Sequence, residues 1–198
     1  MRRRPGGNIT GIAFLSTELG PKRLGLMKEL VPAAERYAAL VNPANPATHS
    51  IVADLRAAAA AIGKPIDFFM ATNAREIDAA FAKIVSSGAQ ALVVGGSSLF
   101  PVRRVQIATL AAHNRLPAIY YDRATVEVGG LMSYGANIPE ATRQAGVYVG
   151  RILKGEKPAD LPVVQAAKFD FVINLQTART LGLTVPPSLL AQADEVIE

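Results

Sequence analysis

At 198 residues, half of them hydrophobic, 6% aromatic and 19% charged, the chain has the composition of a folded α/β protein rather than a disordered one. It holds no run of about 18 apolar residues, which excludes a helical membrane span, and no cysteine, which excludes disulfides and thiolate chemistry. The net charge of +5 permits an acidic partner, but the basic residues are scattered and no stacking aromatics accompany them, so no nucleic-acid groove is expected.

The first predicted element is a β-branched strand, "NITGIAFL", over 8–15. A helix follows in "TELGPKRLGLMKELVPAAE", where Leu24, Met27, Leu30 and Val31 recur at helical spacing. "YAALVNP" (37–43) reads as a buried strand that stops at Asn42-Pro43. The next helix carries Ile51, Leu55, Ala58, Ala59 and Ile62 on one face, with Gly63 as its stop. "PIDFFMAT" (65–72) is a strand. The helix after it begins at Asn73, with Glu76 at capping-box spacing and a stripe of Ile77, Phe81, Ile84 and Val85. "ALVVGG" (91–96), the helix "RRVQIATLAAHN" and "LPAIYYD" (116–122) complete the regular part.

Strands alternating with helices in this way predict βαβ units and a parallel sheet covered on both faces. The fold class expected is therefore α/β with a doubly wound, mostly parallel sheet. Right-handed crossovers place the strand C-termini on one edge, where ligands of open α/β sheets bind. The last third changes character. It holds a glycine-flanked strand, "GGLMSYGAN" (129–137), and a helix with Pro139 in its first turn and Gly155 at its end. Gly146 and Gly150 share a face of that helix, which would let a neighbour approach closely. A Pro-rich connector, the strand "AKFDFVIN", a short helix capped by Asn174 and an amphipathic tail end the chain.

The motifs point to holding a molecule rather than breaking one. "PGGN" near the N-terminus precedes a strand, whereas a phosphate cradle precedes a helix, so Gly6-Gly7 reads as a turn or hinge. "VVGGSSLFP" places Ser97 and Ser98 at a strand end, but it lacks the last glycine of a nucleophile elbow. Neither His49 nor His113 has an orienting partner in the sequence, and with no cysteine a transition-metal site is not expected. Asp122 reads equally as a turn cap and as an acceptor for a ligand's ammonium or hydroxyl group. Strand ends thus collect hydroxyls, amides, a phenol and a carboxylate. The candidate ligand-binding set is Ser16, Thr17, Asn42, Ser97, Ser98, Tyr121 and Asp122, with no catalytic residue, metal or cofactor expected. Thr72 and Asn73 also stand at a strand end, where capping is the simpler role.

The ordered pieces "RPGGNITGIAF", "PKRLGLMKELVP", "ALVNPANP", "ALVVGG", "LPAIYYDRATVEVGGLMSYGAN", "GVYVGRILKGEKPADLPV" and "FDFVINLQTARTLGLTVPPSLLAQADEVI" carry a resemblance that covers essentially the whole chain. They resemble the C-terminal part of ABC-transporter substrate-binding proteins of the type I periplasmic-binding-protein fold. The subfamily is the one that includes tryptophan/tyrosine-type uptake proteins. The resemblance implies two doubly wound lobes that close on a small polar ligand, an ABC permease as partner and a periplasmic or other extracytoplasmic location.

On this likeness, 1–128 forms a C-terminal-type lobe, 129–168 a crossing segment belonging mainly to the N-terminal lobe, and 169–198 a return strand, short helix and tail. The chain then reads as lacking about the first hundred residues of a family member, judged from ordinary lobe size. With them would go the secretion signal and half the cleft wall. Such a chain by itself would stay in the cytoplasm and bind family ligands weakly or not at all. Its crossing elements would expose apolar faces open to a homo-oligomeric contact. Two other readings stand beside this one: a ligand-sensing regulator lobe of the same fold, and a small α/β hydrolase or isomerase.

Overall fold

The computed structural model describes residues 7–13, 19–166 and 168–198. Strands and helices alternate along the chain, beginning with β1 (Ile12–Ala13), α1 (Gly20–Leu30), β2 (Tyr37–Val41), α2 (Thr48–Ala61) and β3 (Ile66–Met70). Next come α3 (Ala74–Ser86), β4 (Ala91–Val94), α4 (Leu99–Val102), α5 (Arg104–His113) and β5 (Ala118–Tyr120). The remainder is α6 (Arg123–Glu127), β6 (Met132–Ala136), α7 (Ile138–Leu153), β7 (Val164–Gln165), β8 (Phe169–Asn174), α8 (Leu175–Thr180), α9 (Pro187–Gln192) and β9 (Glu195–Ile197).

The chain divides into two compact units. The larger joins Ser16–Gly135 to Asp170–Glu198 and is built on a seven-stranded sheet of order β3-β2-β4-β5-β6-β8-β9. The registers of β2 with β3 and β4, of β4 with β5, of β5 with β6 and of β8 with β9 are all parallel. Parallel strands need crossover helices, which cover both faces, so β2 and β4 are buried at every position. Alternate residues of each strand feed opposite cores. Tyr37, Ala39, Val41, Ala91 and Val93 pack with Leu24, Met27 and Leu30 of α1 and Ile51 and Leu55 of α2. Ala38, Leu40, Leu92 and Val94 pack on the other side with Ile77, Phe81 and Ile84 of α3 and Ile107 of α5.

Local chemistry sets the helix starts. Asn73 accepts the N–H of Glu76 at 3.0 Å, while the Glu76 carboxylate takes the Asn73 amide at 2.8 Å and the Thr72 N–H at 2.7 Å. This reciprocal arrangement satisfies donors that the first turn leaves free. Asn174 caps α8 by accepting from Thr177 N at 2.8 Å.

The tail is more regular than its composition predicts. It forms α9 and then β9, whose parallel pairing with β8 extends the sheet. Arg123 grips Glu195 through both terminal guanidinium nitrogens, Nη1 and Nη2, and fixes β9 at the rim.

The smaller unit joins Met1–Leu15 to Ala136–Phe169. Here the first predicted strand is corrected. Of its described residues, 8–13, the strand takes in Ile12 and Ala13 as β1, which pairs with β7 in a separate two-stranded sheet and does not enter the seven-stranded one. The reason is a set of bonds to the Pro-rich connector: Val164 N donates to Gly11 O at 3.1 Å, Ala166 N to Ala13 O at 2.8 Å and Thr10 Oγ1 to Leu161 O at 2.8 Å. In the same unit Asn137 caps α7 through Glu140 N at 2.7 Å, and Tyr148 donates to Pro162 O at 2.8 Å. Among the α7 side chains only Ala141 is buried, and Ile138, Val147, Val149 and Leu153 are exposed.

Candidate functional site

The sheet order fixes where a site can form. The chain runs outward from β2 to β3 and returns to β4 on the other side of β2. The two loops leaving β2 and β4 therefore diverge at a switch point, which is where open α/β sheets bind ligands. A depression of about 410 Å³ lies there, lined by Asn42, Asn45, Ser97, Ser98 and Tyr121 together with Ala44, Pro46, Ala47 and Gly96.

The two loops are laced together. After β2, Asn42 accepts the Ala44 N–H at 2.9 Å, folding the chain into a side-chain-capped turn. Its amide nitrogen donates to Ser97 Oγ at 2.9 Å, and its carbonyl accepts from the Thr48 hydroxyl. Asn45 repeats the motif one turn on, accepting from Ala47 N at 3.0 Å and donating to Gly96 O at 2.6 Å. From the β4 side, Gly95 N donates to Leu40 O at 2.9 Å. A Cβ at Gly95 would come within 3.2 Å of that same oxygen and of Val41 Cγ1, so a larger residue would push the loops apart. Ser97 Oγ also accepts from Leu99 N at 3.1 Å, and the Tyr121 hydroxyl donates to Ser97 O. Burial and the charge of Asp122 push the Tyr121 phenol well above its ordinary value, so it stays a neutral donor.

The predicted residues separate into those that line this depression and those that do not. Asn42, Ser97, Ser98 and Tyr121 line it. Asp122 sits beyond the lining as the N-cap of α6, accepting from Thr125 N at 3.0 Å and from the Thr125 hydroxyl. Burial raises its pKa, opposed by the Thr125 bonds and by the charges of Arg104 and Arg23. Ser16 and Thr17 lie outside the described residues. Thr72 and Asn73 are occupied at the start of α3.

Sequence reading missed two contributors. Asn45 was signalled by the repeated Asn-Pro of "NPANP" but not singled out. Arg23 gave no signal, lying between Lys22 and Leu24 on α1. It is 2% exposed, donates from Nε to Tyr134 O at 2.8 Å and lies 5.9 Å from the centre of the Tyr121 ring. Burial lowers its pKa to about 10, with Tyr121, Asp122 and Tyr134 acting the other way.

The lining offers amide and hydroxyl groups and one phenol. Such a surface orients a small polar molecule by hydrogen bonds. Ser97 Oγ is held by Asn42 and Leu99, while His49 and His113 stand exposed at the start of α2 and the end of α5.

Residues 2–197 match the family described as ABC transporter substrate binding protein. The chain belongs to that family. Within it, the chain is 24% identical over 181 residues to a tyrosine-binding protein of Clostridioides difficile. That alignment takes in 91% of this chain and 51% of the relative. Among solved structures it superposes on a conserved domain protein of Vibrio cholerae with a TM-score of 0.87 and 26% identity, covering 99% of this chain and 65% of that one. It also superposes on an ABC domain in complex with L-Trp from Streptococcus pneumonia (TM-score 0.83, 27% identity), covering 100% of this chain and 67% of that one. The chain thus spans about half the length of the curated relative it matches.

Proposed function

We propose that this substrate-binding family member holds an amino acid, of the tryptophan or tyrosine kind, in the depression at the ends of β2 and β4. It would do so as the solute-binding component of an extracytoplasmic ABC uptake system and hand the ligand to a permease. The observation that carries the reading is the switch-point depression with its polar lining in a chain of this family. The L-Trp complex and the tyrosine-binding relative support the ligand class.

In this reading Asn42, Ser97, Ser98 and Tyr121 orient the ligand's polar groups, with Asn45 beside them, and the hydroxyls of Ser16 and Thr17 contribute as well. Asp122 acts one step back, through its charge on Tyr121. The larger unit serves as one lobe, and the segment around α7 belongs to the crossing region of a second. The reading assigns no bond-breaking role to any of these residues.

An open depression buries little of a ligand's surface, so the 198-residue chain binds free L-tryptophan or L-tyrosine with a Kd on the order of 1 mM or weaker. The chain contains no tryptophan, so the emission of added L-tryptophan can be followed without background. Amide shift changes on titration should concentrate at Asn42, Asn45, Ser97 and Ser98. Tight binding by calorimetry would overturn the affinity claim, and shift changes confined to other residues would overturn the site.

A further inference from the structure

β3 is the outer strand of the seven-stranded sheet. In its parallel register with β2, Tyr37 N donates to Pro65 O at 3.0 Å and Ala71 N to Val41 O at 3.0 Å. Residues 65, 67, 69 and 71 therefore turn their backbone groups inward to β2. Ile66, Phe68 and Met70 turn theirs outward, and among the described residues no backbone bond is made to them.

Open edges of this kind are usually blunted by charge, proline or a covering element. Here the strand "IDFFM" contains no proline and no lysine. Its one charge, Asp67, is already paired with Arg36 at 2.7 Å. Beside the strand runs a groove of about 430 Å³, lined by Phe68, Phe69, Met70 and, from α3, Glu76, Ala80 and Lys83. Met70 at its mouth is 49% exposed.

We propose that β3 is a docking edge for a second copy of this chain, whose own β3 adds antiparallel across a twofold axis through Phe68. The outward residues are symmetric about Phe68. A copy laid in this register sets Ile66 against Met70 and Phe68 against Phe68, and each opposed pair exchanges both N–H···O bonds. The groove receives the incoming strand.

The charges on α3 choose the partner. Glu76 and Lys83 stand two helical turns apart on the groove side, about 10 Å at the usual helical rise. α3 returns alongside β3, so the twofold axis brings Glu76 of one copy to Lys83 of the other, twice. A self-complementary surface of this kind is what a closed dimer needs.

Sedimentation of the full 198-residue chain across concentrations up to about 1 mM tests the interface. The expected result is a reversible monomer–dimer equilibrium. Lys83→Glu, at an exposed site, sets like charges together twice and weakens dimerisation on the order of tenfold. Adding Glu76→Lys to that variant restores opposite charges and recovers the dimer, although it removes the Glu76 bonds to Thr72 and Asn73 at the start of α3. Phe68→Pro removes an outward N–H without touching the β2 ladder, and it abolishes the dimer while circular dichroism shows the fold retained. A chain that is monomeric throughout overturns the proposal. So does a dimer indifferent to Lys83→Glu but lost on Leu153→Lys, which would place the contact on α7.

Discussion

Asn42 and Ser97, 55 positions apart in the chain, share a buried hydrogen bond of 2.9 Å that ties the loop after β2 to the loop after β4. From the sequence both side chains are candidates to meet a ligand at strand ends. The structure shows much of their hydrogen-bonding capacity already committed to each other, to Ala44 N and to Leu99 N. They shape the depression as much as they line it.

Ser97→Ala leaves the Asn42 amide nitrogen buried without its acceptor, which costs about 1–3 kcal/mol. Asn42→Ala costs a similar amount, and the double variant costs less than the sum because both changes break the same Asn42–Ser97 bond. Urea unfolding of the three variants checks this. Strict additivity would show that the bond does not couple the loops.

Gly135 in β6 lies against the backbone of Tyr121, and a Cβ added there would sit 1.8 Å from Tyr121 O. Neither backbone can yield without breaking the sheet, so Gly135→Ala destabilises by about 3 kcal/mol or more. Gly146 in α7 has nothing within 4 Å of an added Cβ. Gly146→Ala is therefore expected to stabilise the chain by about 0.5–1 kcal/mol through helix propensity alone. Thermal melts of the two variants should move in opposite directions.

Asp122 carries a pKa raised above 3.8 by burial. The folded state thus holds this proton better than the unfolded chain does. Its contribution to stability is greatest below pH 3.8 and is lost as pH rises through the higher folded value. Asparagine caps a helix as well as aspartate and has no charge to bury. Asp122→Asn should be at least as stable as wild type at neutral pH, and its advantage should shrink on acidification. An advantage that grows as pH falls would contradict burial as the dominant cause.

The cap at Asn73 was legible because donor and acceptor lie three positions apart and helix geometry alone brings them together. The cap at Asn174 was legible on the same grounds. The same holds for β2 and β4, whose unbroken apolar runs announce strands buried on both faces. Strand-end residues followed from a rule of parallel sheets, so Asn42, Ser97 and Tyr121 could be named as neighbours without any coordinates.

By itself, then, the sequence determined the alternating elements, their caps and the edge of the sheet that carries the depression, because each depends on contacts a few residues apart or on a chirality common to all parallel sheets. The tertiary structure alone decided that β1 pairs with β7, that the tail adds β9 beside β8, that Arg23 is buried, bonded to Tyr134 O and near the Tyr121 ring, and that Gly135 meets Tyr121. Those relationships join residues far apart in the chain. Their bonds form only once register and packing have fixed which backbone stands opposite which.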